Sequence, residues 1–304
     1  MTERDIAVNA DAEPGVEPMV EPASEPVAQH VPVVAVVLAA GFGTRFDPDN
    51  PKQLVAVGGK PIVCWSIEAF EQCARVSDIV VVVNPKVRGE VESLIDEAGY
   101  AKVRVVIDGG SERVDSTAAA LDMLAAAGIP DDAKILIHDA VRPFVAQSAI
   151  DGSIDALDQF KAATVAFAST DTVLLTEDLG DRKVVKSVPD RPNTYRAQTP
   201  QSFRFATIRH AYELAAADPD FHPTDDTRVV VDYLPDEPVA IVSGAETNLK
   251  ITTLADIPTA ERIAEQLLGR DASGTVGRGA VDPKEEARAR MHALLAQAAG
   301  QMRR

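Results

Sequence analysis

Five apolar runs rich in β-branched residues recur along the middle of the chain. They are VVAVVLA at 33–39, DIVVVVN at 78–84, VRVVID at 103–108, KILIHD at 134–139 and ATVAFA at 163–168. Segments of helical pattern lie between them, around 60–73, 87–99, 112–127 and 147–159. Strands that alternate with helices of about 10–15 residues imply βαβ units. Strands this continuously apolar belong to a mostly parallel sheet covered on both faces. The expected class is therefore α/β, and the chain shows no internal repeat.

The alternation breaks at DTVLLTEDLGDRKVVKSVPD, residues 171–190. This reads as two short strands around a polar, glycine-containing turn, a hairpin inserted into the α/β domain. Such a hairpin either protrudes to join subunits or folds against its own domain. The ends are different in kind. Residues 1–30 repeat Glu-Pro steps with few apolar residues, the composition of a disordered acidic tail. Residues 269–281 read as a Gly-rich linker. Residues 282–304 read as a peripheral helix with Asp282 at its N-cap, Pro283 at N1 and a Glu286–Arg290 pair. A domain over 31–268 carries the rest.

With a net charge of −17, the chain is too acidic to bind nucleic acid through a broad basic face. Anionic substrates would have to meet positive charge concentrated locally. No stretch reaches the roughly 18 apolar residues of a membrane-spanning helix, and the N-terminus lacks a signal-peptide pattern. A cytoplasmic location is expected. Cys64 and Cys73 match neither a CxxC nor a zinc spacing and read as buried thiols.

Ligands of open parallel sheets bind at the carboxyl ends of strands. The first strand ends in Ala39-Ala40-Gly41 and continues as GFGTRF, where Gly41 and Gly43 let backbone N–H groups approach phosphate oxygens. The small Ala39 and Ala40 leave room for a flat ring. GFGTRF lacks the third glycine of a dinucleotide fingerprint, and GGKP at 58–61 lacks the Ser/Thr of a P-loop. Taken alone, the loop is equally an ordinary turn with a surface arginine. Further polar groups end other apolar segments: DGGSERVDS at 108–116, HDAVRP at 138–143, Arg191 in a Pro-bounded loop, TDDTR at 224–228 and TNLKIT at 247–252.

The pieces LAAGFGTRF, PKQ, DGGSERVDS, HDAVRP, DTV, QTPQSF, TDD and NLKIT occur in one order over residues 33 to about 267. In this the chain resembles the isoprenoid and polyol-phosphate cytidylyltransferases. The resemblance implies a Rossmann-like three-layer α/β/α nucleotidyltransferase fold with a protruding β-arm. It also implies a homodimer in which the arm, at 171–190, reaches the partner's active site.

The implied reaction is attack by a phosphate monoester on the α-phosphorus of CTP, with pyrophosphate leaving. The attacking oxygen is already ionised, so catalysis is positioning and charge neutralisation. By the same resemblance, Arg45 and Lys52 stabilise the triphosphate, and Arg191 and Lys250 hold the acceptor phosphate in line. Gly41 and Gly43 supply backbone donors, with Ala39 and Ala40 beside the cytidine. Gly110 and Ser116 read the cytosine edge. Asp139 lies near the ribose or a Mg²⁺ carried by the phosphates. Thr172 and Asp225 lie near the second substrate.

Competing structural roles stand beside several of these. Ser116 and Asp225 are also good helix caps. His138 should point away from Asp139 by strand alternation and read as a core or interface residue. Arg142 and Arg113 could each pair with a nearby acid.

The expected acceptor is 2-C-methyl-D-erythritol 4-phosphate, giving 4-diphosphocytidyl-2-C-methyl-D-erythritol. Leu38, HDAVRPF and TDDT lean instead toward ribitol 5-phosphate, which is the alternative. A non-catalytic nucleotide-binding module would not need both basic pairs. A hexose-phosphate nucleotidyltransferase is disfavoured by the hydroxyl-bearing segment 111–117.

Overall fold

A computed structural model describes residues 31–41, 51–220 and 223–273. The first of the apolar runs forms β1 (Val33–Ala39), in which every residue is buried. Two short strands, β2 (Ala56–Val57) and β3 (Lys60–Pro61), precede α1 (Ile62–Gln72). Then come β4 (Asp78–Val83), α2 (Arg88–Ala98), β5 (Val103–Asp108), α3 (Arg113–Ala126), β6 (Lys134–Asp139), α4 (Gln147–Gln159) and β7 (Ala162–Ala168). The second half holds β8 (Leu175–Asp178), β9 (Lys183–Ser187), β10 (Tyr195–Arg204), α5 (Phe205–Ala215), α6 (Asp226–Tyr233), β11 (Val239–Ser243) and α7 (Ile257–Ser273).

Seven strands form one sheet in the order β11-β7-β10-β6-β1-β4-β5. All neighbours are parallel except β10, which runs against both β6 and β7. Alternate residues of β1 leave on opposite faces. Val33, Ala35, Val37 and Ala39 pack in one core with Phe70 of α1, Ile95 of α2 and Ile154 of α4. Val34, Val36 and Leu38 pack in the other with Leu121 of α3, Ile208 of α5 and Val229 of α6. That is the three-layer α/β/α arrangement. Each such aliphatic side chain contributes roughly 1.5–3 kcal/mol on burial, so a sheet covered on both faces explains the unbroken apolar runs. A third, smaller cluster joins α7 to the loops through Ile251, Phe144 and Ala264.

The chain runs outward from β1 to β4 and β5, then returns to place β6 on the other side of β1. This reversal opens a crevice at the carboxyl ends of β1 and β6.

QTPQSF, which is not among the five apolar runs, is part of β10, and its residues 198–203 are buried. Pro200 is tolerated because the pairing with β7 is irregular between Ala197 and Gln201, where a ladder donor is not required. The stretch read as linker begins inside α7, which passes through Gly269 to Ser273. The acidic tail, the remainder of that linker and the last helix lie outside the described residues. Among the described residues, no helix is long and apolar enough to cross a membrane.

Residues 171–190 do hold a hairpin, β8 and β9, which pair only with each other. Gly180 takes a left-handed φ of 92° at its tip. Its side chains stand in solvent, with Leu179 60% and Val185 56% exposed. An isolated two-stranded hairpin is marginal in water.

Candidate active site

β6 ends in the chemistry. Asp139 is its last residue and is buried at the crevice. Its Oδ1 accepts from Nε of Arg113 at 2.9 Å, and its Oδ2 accepts from Nζ of Lys250 at 2.8 Å. Burial alone would push the Asp139 carboxyl up. The Arg113 and Lys250 charges outweigh it and hold the carboxyl well below the usual carboxylate range. A cleft of about 140 Å³ opens here. One wall is Leu38, Ala40 and Gly41 at the end of β1, beside Lys52 and Gln53. The opposite wall is Gly110, Ser111, Glu112, Arg113 and Ser116 at the start of α3.

Local sequence explains each wall. Gln53 is buried, and its Nε2 donates to the carbonyls of Ala39 at 2.8 Å and Gly41 at 2.5 Å. This pins the end of β1 to the short turn that carries Lys52. Across the cleft, Glu112 and Asp115 form a capping box at the start of α3. Ser116 Oγ accepts from the N–H of Gly110 at 3.2 Å and donates to the carbonyl of Glu112 at 3.1 Å. Gly109 lets the walls approach, because a Cβ there would collide with Ala40 Cβ and Ser116 Oγ.

Lys250 is held from behind. Asn248 is buried and donates to Thr199 O at 2.9 Å, and Ile251 N donates to Val141 O at 2.8 Å. Arg142 donates to the carbonyls of Asn248 at 2.8 Å and Ala197 at 3.3 Å. Arg142 thus ties loops together through carbonyls, rather than pairing with an acid.

His138 points away from Asp139 into the core, as alternation requires, with its ring centroid 5.2 Å from that of Phe70. Its Nδ1 shares a hydrogen bond with Thr199 Oγ1 at 2.8 Å, and its Nε2 lies 3.0 Å from Arg142 O. Burial pushes its pKa down to about 4. The folded protein therefore binds fewer protons here than the unfolded chain below pH 6.5, so stability falls as pH falls through this window. Between pH 7 and pH 5 the loss from His138 is about 2 kcal/mol. Urea unfolding at the two pH values measures it; equal midpoints would contradict a neutral buried ring.

Of the expected site residues, Ala40, Gly41, Lys52, Gly110, Ser116, Asp139 and Lys250 meet at this cleft. Gly43 and Arg45 lie outside the described residues. Ala39 ends β1, but its side chain faces the core on the other side of the sheet, and only its carbonyl is engaged here. Thr172 and Arg191 do not line the cleft. They are exposed at the base of the hairpin and bond each other, Arg191 Nη2 to Thr172 Oγ1 at 3.3 Å. Of the pair Lys250 and Arg191, Lys250 lines this cleft and Arg191 does not. Asp225 takes the capping role: its carboxylate accepts from Arg228 N at 2.8 Å. The neighbouring Asp226 is the acid that reaches the site residues, through Arg113. Gln53 and Asp226 were carried in the PKQ and TDD pieces without a role. Nothing local in the sequence says which of two adjacent aspartates faces inward.

The family profile described as 2-C-methyl-D-erythritol 4-phosphate cytidylyltransferase matches residues 33–266. The chain belongs to this family. A family member from Bifidobacterium longum (strain DJO10A) is 83% identical over 304 residues, all of both chains. The crystal structure of 4-diphosphocytidyl-2C-methyl-D-erythritol synthase from Anaerococcus prevotii aligns with a TM-score of 0.66 at 27% identity, covering 77% of this chain and 96% of that one. A Haemophilus influenzae bifunctional ribulose 5-phosphate reductase/CDP-ribitol pyrophosphorylase is 33% identical over 230 residues, 76% of this chain and 48% of its own length. In this cytidylyltransferase, then, the crevice at β1 and β6 is where nucleotide chemistry is expected from the fold as well as from the residues.

Proposed function

We propose that the cleft transfers a cytidylyl group from CTP to 2-C-methyl-D-erythritol 4-phosphate, releasing pyrophosphate. The observation that carries this is the buried Asp139 held between Arg113 and Lys250, opposite Gly41 and Lys52, in a chain that matches the family end to end of its domain. The methylerythritol acceptor is favoured over ribitol 5-phosphate by the full-length 83% relative against the partial 33% one.

The acceptor's phosphate is dianionic over most of the neutral range, since its second pKa is near 6. It needs no general base, and the described cleft lining holds no histidine. Lys52, together with Arg45 by the family resemblance, takes the charge that grows on the leaving pyrophosphate. Lys250 holds the acceptor phosphate. Gly110 and Ser116 sit where a flat base would slot between the end of β1 and α3. This selects a small pyrimidine by space.

Mg²⁺ belongs to the same reading. Among the described residues, no group of three metal-ligating side chains exists. That suits an ion bound through phosphates plus one carboxylate. Asp139 fits as the carboxylate, because each of its oxygens uses one lone pair on a cation and keeps another. The ion would add charge neutralisation at the phosphates.

The homodimer belongs to it too. Arg191 and Thr172 lie at the base of an exposed apolar arm and away from their own cleft, where they are free to serve a neighbour's. A cytoplasmic setting suits the use of CTP and two free thiols, of which Cys64 is buried and pushed up to about 12.

The test is direct. CTP and Mg²⁺ are incubated with the protein and either acceptor, and pyrophosphate is measured. Release with the methylerythritol phosphate is the expected result. Release with ribitol 5-phosphate alone would reassign the acceptor.

A further inference from the structure

Behind the cleft, charges alternate in a line that ends away from solvent. Asp226 opens α6 and is fully buried. Its Oδ1 accepts from the Tyr212 hydroxyl at 2.6 Å, and its Oδ2 accepts from Nη1 of Arg113 at 2.6 Å. Gln201 Oε1 accepts from the backbone N–H groups of Asp226 at 2.8 Å and Thr227 at 3.2 Å. The Asp225 cap fixes the same helix start. Asp226 is therefore held rigidly, with a hydrogen bond on each oxygen.

Arg113 spans the gap from it to Asp139, bonding one carboxylate through Nη1 and the other through Nε. Its remaining nitrogen, Nη2, is buried and makes no hydrogen bond. That is an unusual use of a guanidinium, which prefers to lay two parallel N–H bonds on one carboxylate. Here a two-bond contact with Asp139 would set the guanidinium on Oδ2 beside the Lys250 ammonium, two positive charges crowded on one oxygen.

We infer that Asp226 is a positioning residue: it holds Arg113 to a single bond on Asp139 and so reserves Asp139 Oδ2 for Lys250. This rests on the reading above that Lys250 serves the reaction. Asp226 touches neither substrate. It acts through Arg113 and then Asp139.

The test is a double-mutant cycle between two residues that do not touch. D226N removes the charge with little change of shape. Arg113 then closes on Asp139, and Lys250 loses its place. kcat/KM for the methylerythritol phosphate is expected to fall by about 10–100-fold in D226N and by at least as much in Lys250→Ala. Because both act through Lys250, the double variant should match Lys250→Ala within about threefold, whereas independent structural damage would multiply.

Val229→Ala, a buried change in the same helix, controls for lost stability and should leave kcat/KM within about twofold below its melting temperature. Should D226N be too unstable to purify, Arg113→Lys replaces it in the cycle, since a lysine cannot bridge both carboxylates in this geometry.

D226N (or its replacement) at wild-type kcat/KM, while Lys250→Ala is impaired, would overturn the inference and leave the reading of the site intact. A double variant at the product of the single losses would overturn it as well. Full turnover in Lys250→Ala would remove both.

Discussion

Lys52→Ala lowers kcat by about 10²–10³-fold, the cost of losing one preorganised group at a developing charge, and barely moves the melting temperature. The position explains the split. Lys52 lines the cleft from a short turn whose backbone is fixed by its neighbours: Leu54 N donates to Pro51 O at 2.9 Å, and Gln53 anchors to the end of β1. Truncating the side chain leaves those bonds in place. Removing a half-buried side chain from such a turn costs less than a core substitution. A thermal scan and steady-state kinetics on one preparation measure both. A large drop in melting temperature with turnover retained would sink the assignment.

Asp139→Ala behaves differently and fails on both measures. The carboxylate is shared by Arg113, which is mostly buried, and Lys250, which is about a third exposed at 38%. Arg113 keeps its pairing with Asp226 and solvent relieves Lys250, so no charge is left wholly uncompensated, and the cost is that of the lost charged hydrogen bonds, about 1.5–3 kcal/mol. For a domain of this size it lowers the melting temperature by roughly 5 °C. Turnover should be lost with it. Asp139→Asn keeps the shape and some hydrogen bonding, so it should unfold less readily yet remain catalytically poor. An Asp139→Ala protein that melts with the wild type would show that the pairing with Arg113 is weak in solution.

These two residues also mark what the sequence made legible. The parallel core was readable because burial on both faces leaves an unbroken apolar signature, seen in β1, β4 and β6. The cleft was readable where glycines and polar groups end such strands, as at Gly41, Gly110 and Asp139. β10 was harder to see. Its QTPQSF segment carries a proline and polar residues that are buried in the structure, and Gln198, Thr199 and Gln201 bond partners remote in sequence: Asn248, His138 and Asp226. The choice between Asp225 and Asp226 depends on the phase of one helix turn. Arg113 gains its importance from two acids 26 and 113 positions away, a spacing no local pattern reports. That Lys250 lines the cleft while Arg191 does not depends on the three-dimensional placement of the hairpin.

β10 has a consequence of its own. A parallel strand delivers only its last residue to the ligand-binding edge. β10 enters from that edge, straight out of the hairpin, and passes the crevice on its way inward. Thr199 Oγ1 accepts from Asp139 N at 3.2 Å, and Gln201 seats the start of α6. One continuous length of backbone therefore serves as stalk for the hairpin and as footing for the acid at the centre of the site. A change in the hairpin can thus lower turnover along its own strand, apart from any route through the proposed dimer.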